Sequence, residues 1–406
     1  MKYLRVFTNS LVLQSVIRRL PALFLVGGML LALLPVEMAL GSDRKAPLAY
    51  VTQRDAQPDD QTPCSLPGSV AVIDTMNNEV VATIAVGPGP HGMALTSDGK
   101  RAYVANYGVF PSPFAQATCL SDTVAVLKLF TPDPDDVEDS QAAQPPAVVA
   151  LVKVGRGPLG VAVTPNNDKV FVTNFGQDAT LVPGGIEGDT VSVINTRSNE
   201  VVATIPVGKL PAGVAIRPDG KRAYVTSRRN NEVWVLDTAT DTVVDIVKVQ
   251  IEPANVVFTP DGRRVYVANF GSNSVSVIDT ATNTVMPVPD GEAITVGLVP
   301  IGVTVTPDGT RVYVVNVFSN NVSVIDTATN TVMPVPDGEA ITVGPGPRAV
   351  AITPEGAYAY VTDFLSDTVS VIATATNTVV DTIAVAGGPN WVTITGGHGK
   401  VHKKHD

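Results

Sequence analysis

Imidazole is scarce in this chain. Four histidines, His91, His398, His402 and His405, occur in 406 residues, too few for copper centres that gather several imidazole ligands. Cysteine is scarcer still. With only Cys64 and Cys119 present there is no Cys-x-x-Cys-His haem signature. No His-Glu-x-x-His and no phosphate loop occurs either. No cofactor is expected. Basic excess is also missing, since the net charge is −10. An acidic surface repels nucleic-acid phosphates and anionic headgroups, so neither is expected as a partner. Helical periodicity is absent after residue 41.

Residues 1–41 read as an export signal. Lys2, Arg5, Arg18 and Arg19 precede an apolar run from Leu20 to Val36, and Ala39-Leu40-Gly41 offers small residues before a cut at Ser42. An uncleaved anchor is the alternative, because the run approaches the length of a short span. Removal of this segment takes away four positive charges and one negative, leaving about −13. The expectation is an exported protein, periplasmic, extracellular or at the cell surface, monomeric and without a stable membrane span after processing.

What is present in quantity is a repeat. Gly302 to Val332 holds three short runs rich in Val, Ile, Thr and Tyr, separated by Pro307-Asp308-Gly309 and by Asp326 to Asn330. Pro presets φ, Asp bonds local backbone and Gly accepts positive φ, so both are turns between antiparallel strands. The second-strand aromatic recurs at Tyr50, Tyr103, Phe171, Tyr224, Tyr266, Tyr313 and Tyr360, with spacings of 53, 68, 53, 42, 47 and 47 residues. A period near 42–47 with four strands per unit is that of a β-propeller blade. The first repeat lacks its inner strand, and an orphan strand, Asn390 to Thr395, follows the last. Joining the two completes blade 1. The predicted fold is therefore an all-β, seven-bladed propeller over 42–396, followed by a disordered basic tail over 397–406.

The runs Tyr103-Val104-Ala105-Asn106, Phe171-Val172-Thr173-Asn174 and Tyr266-Val267-Ala268-Asn269, with Val-Ser-Val-Ile-Asp-Thr and Thr-Pro-Asp-Gly, resemble the YVTN-type β-propeller repeat family over about 48–396. That resemblance implies the propeller fold and occurrence in secreted or surface-layer proteins. Its motif residues are architectural, so it supplies no catalytic position. Gln53, Ser227 and Asp363 depart from Asn at the end of the second strand. Val275 to Gly297 and Val322 to Gly344 are identical over 23 residues, which points to duplication of scaffold.

Cys64 and Cys119 fall in equivalent loops of blades 1 and 2, and a disulfide is expected between them. It would close a loop of about 55 residues, worth roughly 4 kcal/mol in the chain-entropy model. A metal or redox pair is the alternative. Insertions at 54–67, 107–120 and 176–188 crowd one sector of one face, where binding loops or neutral surface growth are both consistent.

Each outer-to-inner link ends in Pro-x, and x runs His91, Leu159, Ala212, Ala254, Ile301, Arg348 and Asn390 round the ring. The polar members belong to adjacent blades 7, 1 and 2. His91, Arg348 and Asn390, with Trp391, are the candidate ligand-binding residues at the channel mouth. A second ring, Arg54, Tyr107, Phe175, Arg228, Phe270, Val317 and Phe364, follows the second strands. It would either form a platform or pack loops onto the sheets. Two functions remain in play. The favoured one is a non-enzymatic exported scaffold that binds a protein, a cell-envelope component or a small ligand. The alternative is a secreted hydrolase or lyase with His91 as base, helped by a carboxylate such as Asp363 or Asp122.

Overall fold

The computed structural model describes residues 47–54, 68–109, 119–129, 146–177, 186–289, 291–336 and 338–396. Residues 1–41, read as an export signal, Cys64 and with it the expected Cys64–Cys119 bridge, and the tail over 397–406 lie outside the described residues.

The described residues contain no helix. They form seven antiparallel sheets around an axis, each a blade, and six of them begin with their inner strand. Blade 1 is completed from both ends of the chain: Pro389–Ile394 lies beside Leu48–Gln53, with Ala49 opposite Ile394 and Thr52 opposite Trp391. The expected closure is therefore observed. No inner edge is left open to pair with another chain.

Burial follows from the stacking of blades. Second and third strands are covered on both faces, so Arg264–Asn269 and Ser274–Asp279 are buried at nearly every position. Outer strands such as Glu79–Ala85 face solvent and bury one residue, Ile84. The core lies between blades. Tyr266, Val275 and Ile294 of blade 5 pack on Val303, Val312 and Val314 of blade 6. Each fully buried side chain of this size contributes roughly 1.5–3 kcal/mol.

A polar latch accompanies several of the apolar seams. The Tyr266 hydroxyl donates to Asn330 Oδ1 at 2.7 Å, Tyr313 to Asn377 at 2.6 Å and Tyr360 to Asn78 at 2.6 Å. Tyr224 donates to Asn283 in the same way. Each Asn sits in the next blade's outer hairpin at positive φ, 53–58°, a conformation Asn tolerates better than most residues. Blade 3 carries Phe171 and has no hydroxyl to give. There the hairpin residue is Asp241, and Lys169 Nζ meets its carboxylate at 2.8 Å. An ion pair replaces the missing hydrogen bond.

The residue ending each second strand is buried, and in blades 5 and 6 it bonds side chains of the third strand. Asn269 donates to Ser274 and Ser276, and Asn316 donates to Asn321 and Ser323. The identical segments of blades 5 and 6 have broken outer strands. Thr284–Val285 and Ile294–Thr295 flank a kink in one, Thr331–Val332 and Ile341–Thr342 in the other.

Candidate functional site at the channel mouth

Every inner strand begins with a Pro followed by a bulge, where the pairing register shifts by one residue. Bulges re-aim side chains, and here they turn one or two residues per blade toward the axis. At the third position neighbouring backbones nearly touch. A Cβ on Gly92 would stand 2.2 Å from Leu159 O, and one on Gly160 2.4 Å from Ala212 O. Glycine is required at both. Blade 1 carries Trp391 at this position instead.

All seven blades line a cavity of about 280 Å³ on the axis. His91, Arg348 and Trp391 line it, as do Leu159, Ala212, Ala254 and Ile301. Asn390 does not. Its bulge turns it inward, where it is 1% exposed and its amide reaches Pro90 O at 3.4 Å. The second-strand ring contributes Tyr107, Phe175, Arg228, Phe270 and Val317 to the same cavity. Tyr107 and Phe175 also pack on Leu210 and Ala212, so these aromatics hold loops to the sheets as well as walling the cavity.

Two guanidinium groups and an imidazole gather on the side of blades 7, 1 and 2. The Arg348 guanidinium lies 3.9 Å over the Phe364 ring, and that of Arg54 lies 5.9 Å from it. Burial, with Arg54 close by, pulls the Arg348 pKa down to about 10. Burial holds His91 well below the usual imidazole range, with further lowering from the positive charges of Arg54 and Arg348. Its ring stands 6.4 Å from both Tyr107 and Trp391. His91 Nδ1 and Arg348 Nε are buried with no hydrogen-bond partner in the protein. Arg54 belonged to the second ring in the sequence, with nothing to single it out. Ring closure brings it here.

The possible carboxylate helpers are elsewhere. Asp122 meets Lys153 at 3.5 Å near the surface. Asp363 is fully buried behind Phe364, bonded by Ser370 at 2.6 Å, and burial pushes its carboxyl up to about 6. Among the described residues no Asp or Glu lines the cavity. Among the described residues no group of three His, Cys, Asp or Glu is placed to hold a metal ion. The arrangement can therefore do two things: bind negative charge, and accept a proton at an imidazole kept neutral. A larger groove of about 390 Å³ lies on the opposite face between blades 5 and 6. It has a twin one blade on, and Asp261 and Asp308 there serve their own turns.

A family model described as lactonase, 7-bladed beta-propeller, matches residues 187–297. A seven-bladed β-propeller protein of Mycobacterium tuberculosis is 30% identical over 146 residues, 36% of this chain. The chain spans 28% of that relative's length in the match. Among solved structures, a protein of unknown function from Desulfotomaculum acetoxidans aligns with a TM-score of 0.65 at 18% identity, covering 87% of this chain and 100% of the other. The periplasmic gluconolactonase of Pseudomonas aeruginosa aligns at 0.63 and 17% identity, covering 86% and 99%. These likenesses establish the seven-bladed fold. They also correct the functional expectation. A non-enzymatic scaffold was favoured because acid–base groups seemed absent from the channel. The lactonase model favours the hydrolase alternative, and the mouth does hold a neutral imidazole beside guanidinium groups.

Proposed function

We propose that this protein is a hydrolase that opens lactones at the channel mouth, acting after export by the N-terminal segment. The observation that carries the reading is His91: an imidazole with a buried, unpartnered nitrogen, held neutral by burial and two guanidinium groups. A neutral imidazole is a competent general base at physiological pH.

In this reading His91 takes a proton from water as the water attacks the ring carbonyl. Negative charge then develops on the carbonyl oxygen, and Arg348 stabilises it. Low polarity around the guanidinium strengthens that interaction. Collapse breaks the ring C–O bond, and the imidazolium returns its proton to the departing alkoxide. The product is a hydroxy acid whose carboxylate remains opposite Arg348 and Arg54. No carboxylate is needed to orient His91. Its backbone is instead fixed by Thr52, whose hydroxyl donates to His91 O at 2.9 Å.

The test is acid release, followed by pH-stat, from a panel of five- and six-membered lactones. His91→Asn and Arg348→Met are each expected to lower kcat/KM by about 100-fold or more. A parent protein that opens none of the panel, or variants as active as the parent, would overturn the reading.

A further inference from the structure

The cavity wall is divided. Blades 3, 5 and 6 contribute Leu159, Phe270, Ile301 and Val317, with the Glu252-paired Arg228 of blade 4 between them. This apolar wall continues outward to the rim. Phe318 lines the cavity and is 73% exposed, and Leu298 beside it is 53% exposed. The Phe318 N–H donates to Leu298 O at 3.2 Å, which fixes the two as a pair on blade 6. Leu365 on blade 7 and Ile251 on blade 5 extend the rim, at 71% and 54% exposed. At the equivalent rim positions blades 3 and 4 carry Arg156, Lys209 and Arg229. The apolar track is thus confined to blades 5 to 7.

Groups able to meet hydroxyls are few. Asn255 Oδ1 already accepts the Val256 N–H at 2.9 Å. The Tyr107 hydroxyl is given to Gly176 O at 3.0 Å. Arg228 meets Glu252 at 2.8 Å and lies 4.4 Å over Phe270. Away from His91 and Arg348, a polyhydroxylated ring would desolvate its hydroxyls without replacement bonds, which is unfavourable.

From this division, and resting on the hydrolase reading above, we infer that the lactone accepted at the mouth carries an alkyl or aryl tail. The ester sits against His91 and Arg348. The tail lies along Ile301, Val317, Phe318 and Leu298.

Two measurements test this. The first compares δ-lactones with tails of increasing length against gluconolactone. The expected result is a rise in kcat/KM of roughly three- to fourfold per buried methylene, with gluconolactone far below, and a flatter rise in Phe318→Ser. Gluconolactone opened as fast as the tailed rings would overturn the ligand class and leave the hydrolase reading standing. The second measurement needs no turnover. With Trp234→Phe, Trp391 is the one remaining tryptophan, and its fluorescence reports the mouth. Submicellar decanoate is expected to perturb it at concentrations where gluconate does not. Decanoate binding without opening of any lactone would sink the hydrolase reading while supporting the ligand class. Equal response to decanoate and gluconate would overturn the class.

Discussion

The Thr52 hydroxyl donates to the carbonyl oxygen of His91 at 2.9 Å, joining blade 1 to blade 2 beneath the mouth. Thr52 Oγ1 in turn accepts the Trp391 N–H at 3.1 Å. One side chain therefore sets the backbone of two cavity residues. Thr226 makes the equivalent pair of bonds, to Ala254 O and from Gly213 N, beside the apolar wall. Thr52→Val and Thr226→Val should each lower stability by about 1–2 kcal/mol. Lactone opening should fall only in Thr52→Val. Urea denaturation and the pH-stat assay measure the two effects separately.

The pH dependence of catalysis should carry the mark of the neighbouring cations. His91 must be neutral to act as a base, and burial with Arg54 and Arg348 places its pKa well below 6.5. The acid limb of kcat/KM is therefore expected well below that value, with a plateau through neutrality. Replacing Arg348 by Gln removes a positive charge and should move the limb upward, even as the rate drops. A limb that stays in place would show that Arg348 does not act on the imidazole. The pH profile of each protein decides this.

Asp363 gives a stability prediction of definite sign. Its folded pKa, about 6, stands above the ordinary 3.8 because the carboxyl is buried. Stability from the protonated form is fully present below about 4 and is lost as pH rises through about 6. Asp363→Asn supplies the residue that blades 2, 3, 5 and 6 use at this position. It should stabilise the protein by about 1–3 kcal/mol at pH 8 and by nothing below the unfolded pKa. Thermal melts across that range would reveal the convergence.

The blade 3–4 seam offers a swap. Lys169→Met strands the Asp241 carboxylate and should cost about 1–3 kcal/mol. Adding Phe171→Tyr and Asp241→Asn should recover most of that loss by installing the latch seen at Tyr266 and Asn330. Denaturation midpoints of the single and triple variants are the readout. A triple variant no more stable than Lys169→Met would contradict the latch as a transferable unit.

Much of the architecture was legible because its causes are local. Tyr-Val runs, Pro-Asp-Gly turns and the displaced final strand specify strands, hairpins and the sealing of blade 1 without knowledge of any contact. The mouth was legible only in part. His91 and Arg348 could be placed from the Pro-x register, since x follows the bulge in each blade. Asn390 could not be told from Trp391, because pairing of Thr52 with Trp391 and Gln53 with Pro389 decides which of the two is squeezed out of register. Arg54 and Arg348 lie 294 residues apart in the chain, and no pattern in either neighbourhood announces the other. The latch needed both members, Tyr360 and Asn78, and their meeting depends on the ring.

The sealing of blade 1 has a consequence for biosynthesis. Pro389–Ile394, which completes the first blade, leaves the ribosome after every other strand of the ring. Until then Leu48–Gln53 has a bare inner side, and the Tyr360–Asn78 seam has no settled partner geometry. Six blades can collapse in order of synthesis, yet the channel mouth cannot assemble ahead of that strand. A nascent chain stalled before residue 389 would be inactive however well its earlier blades had packed.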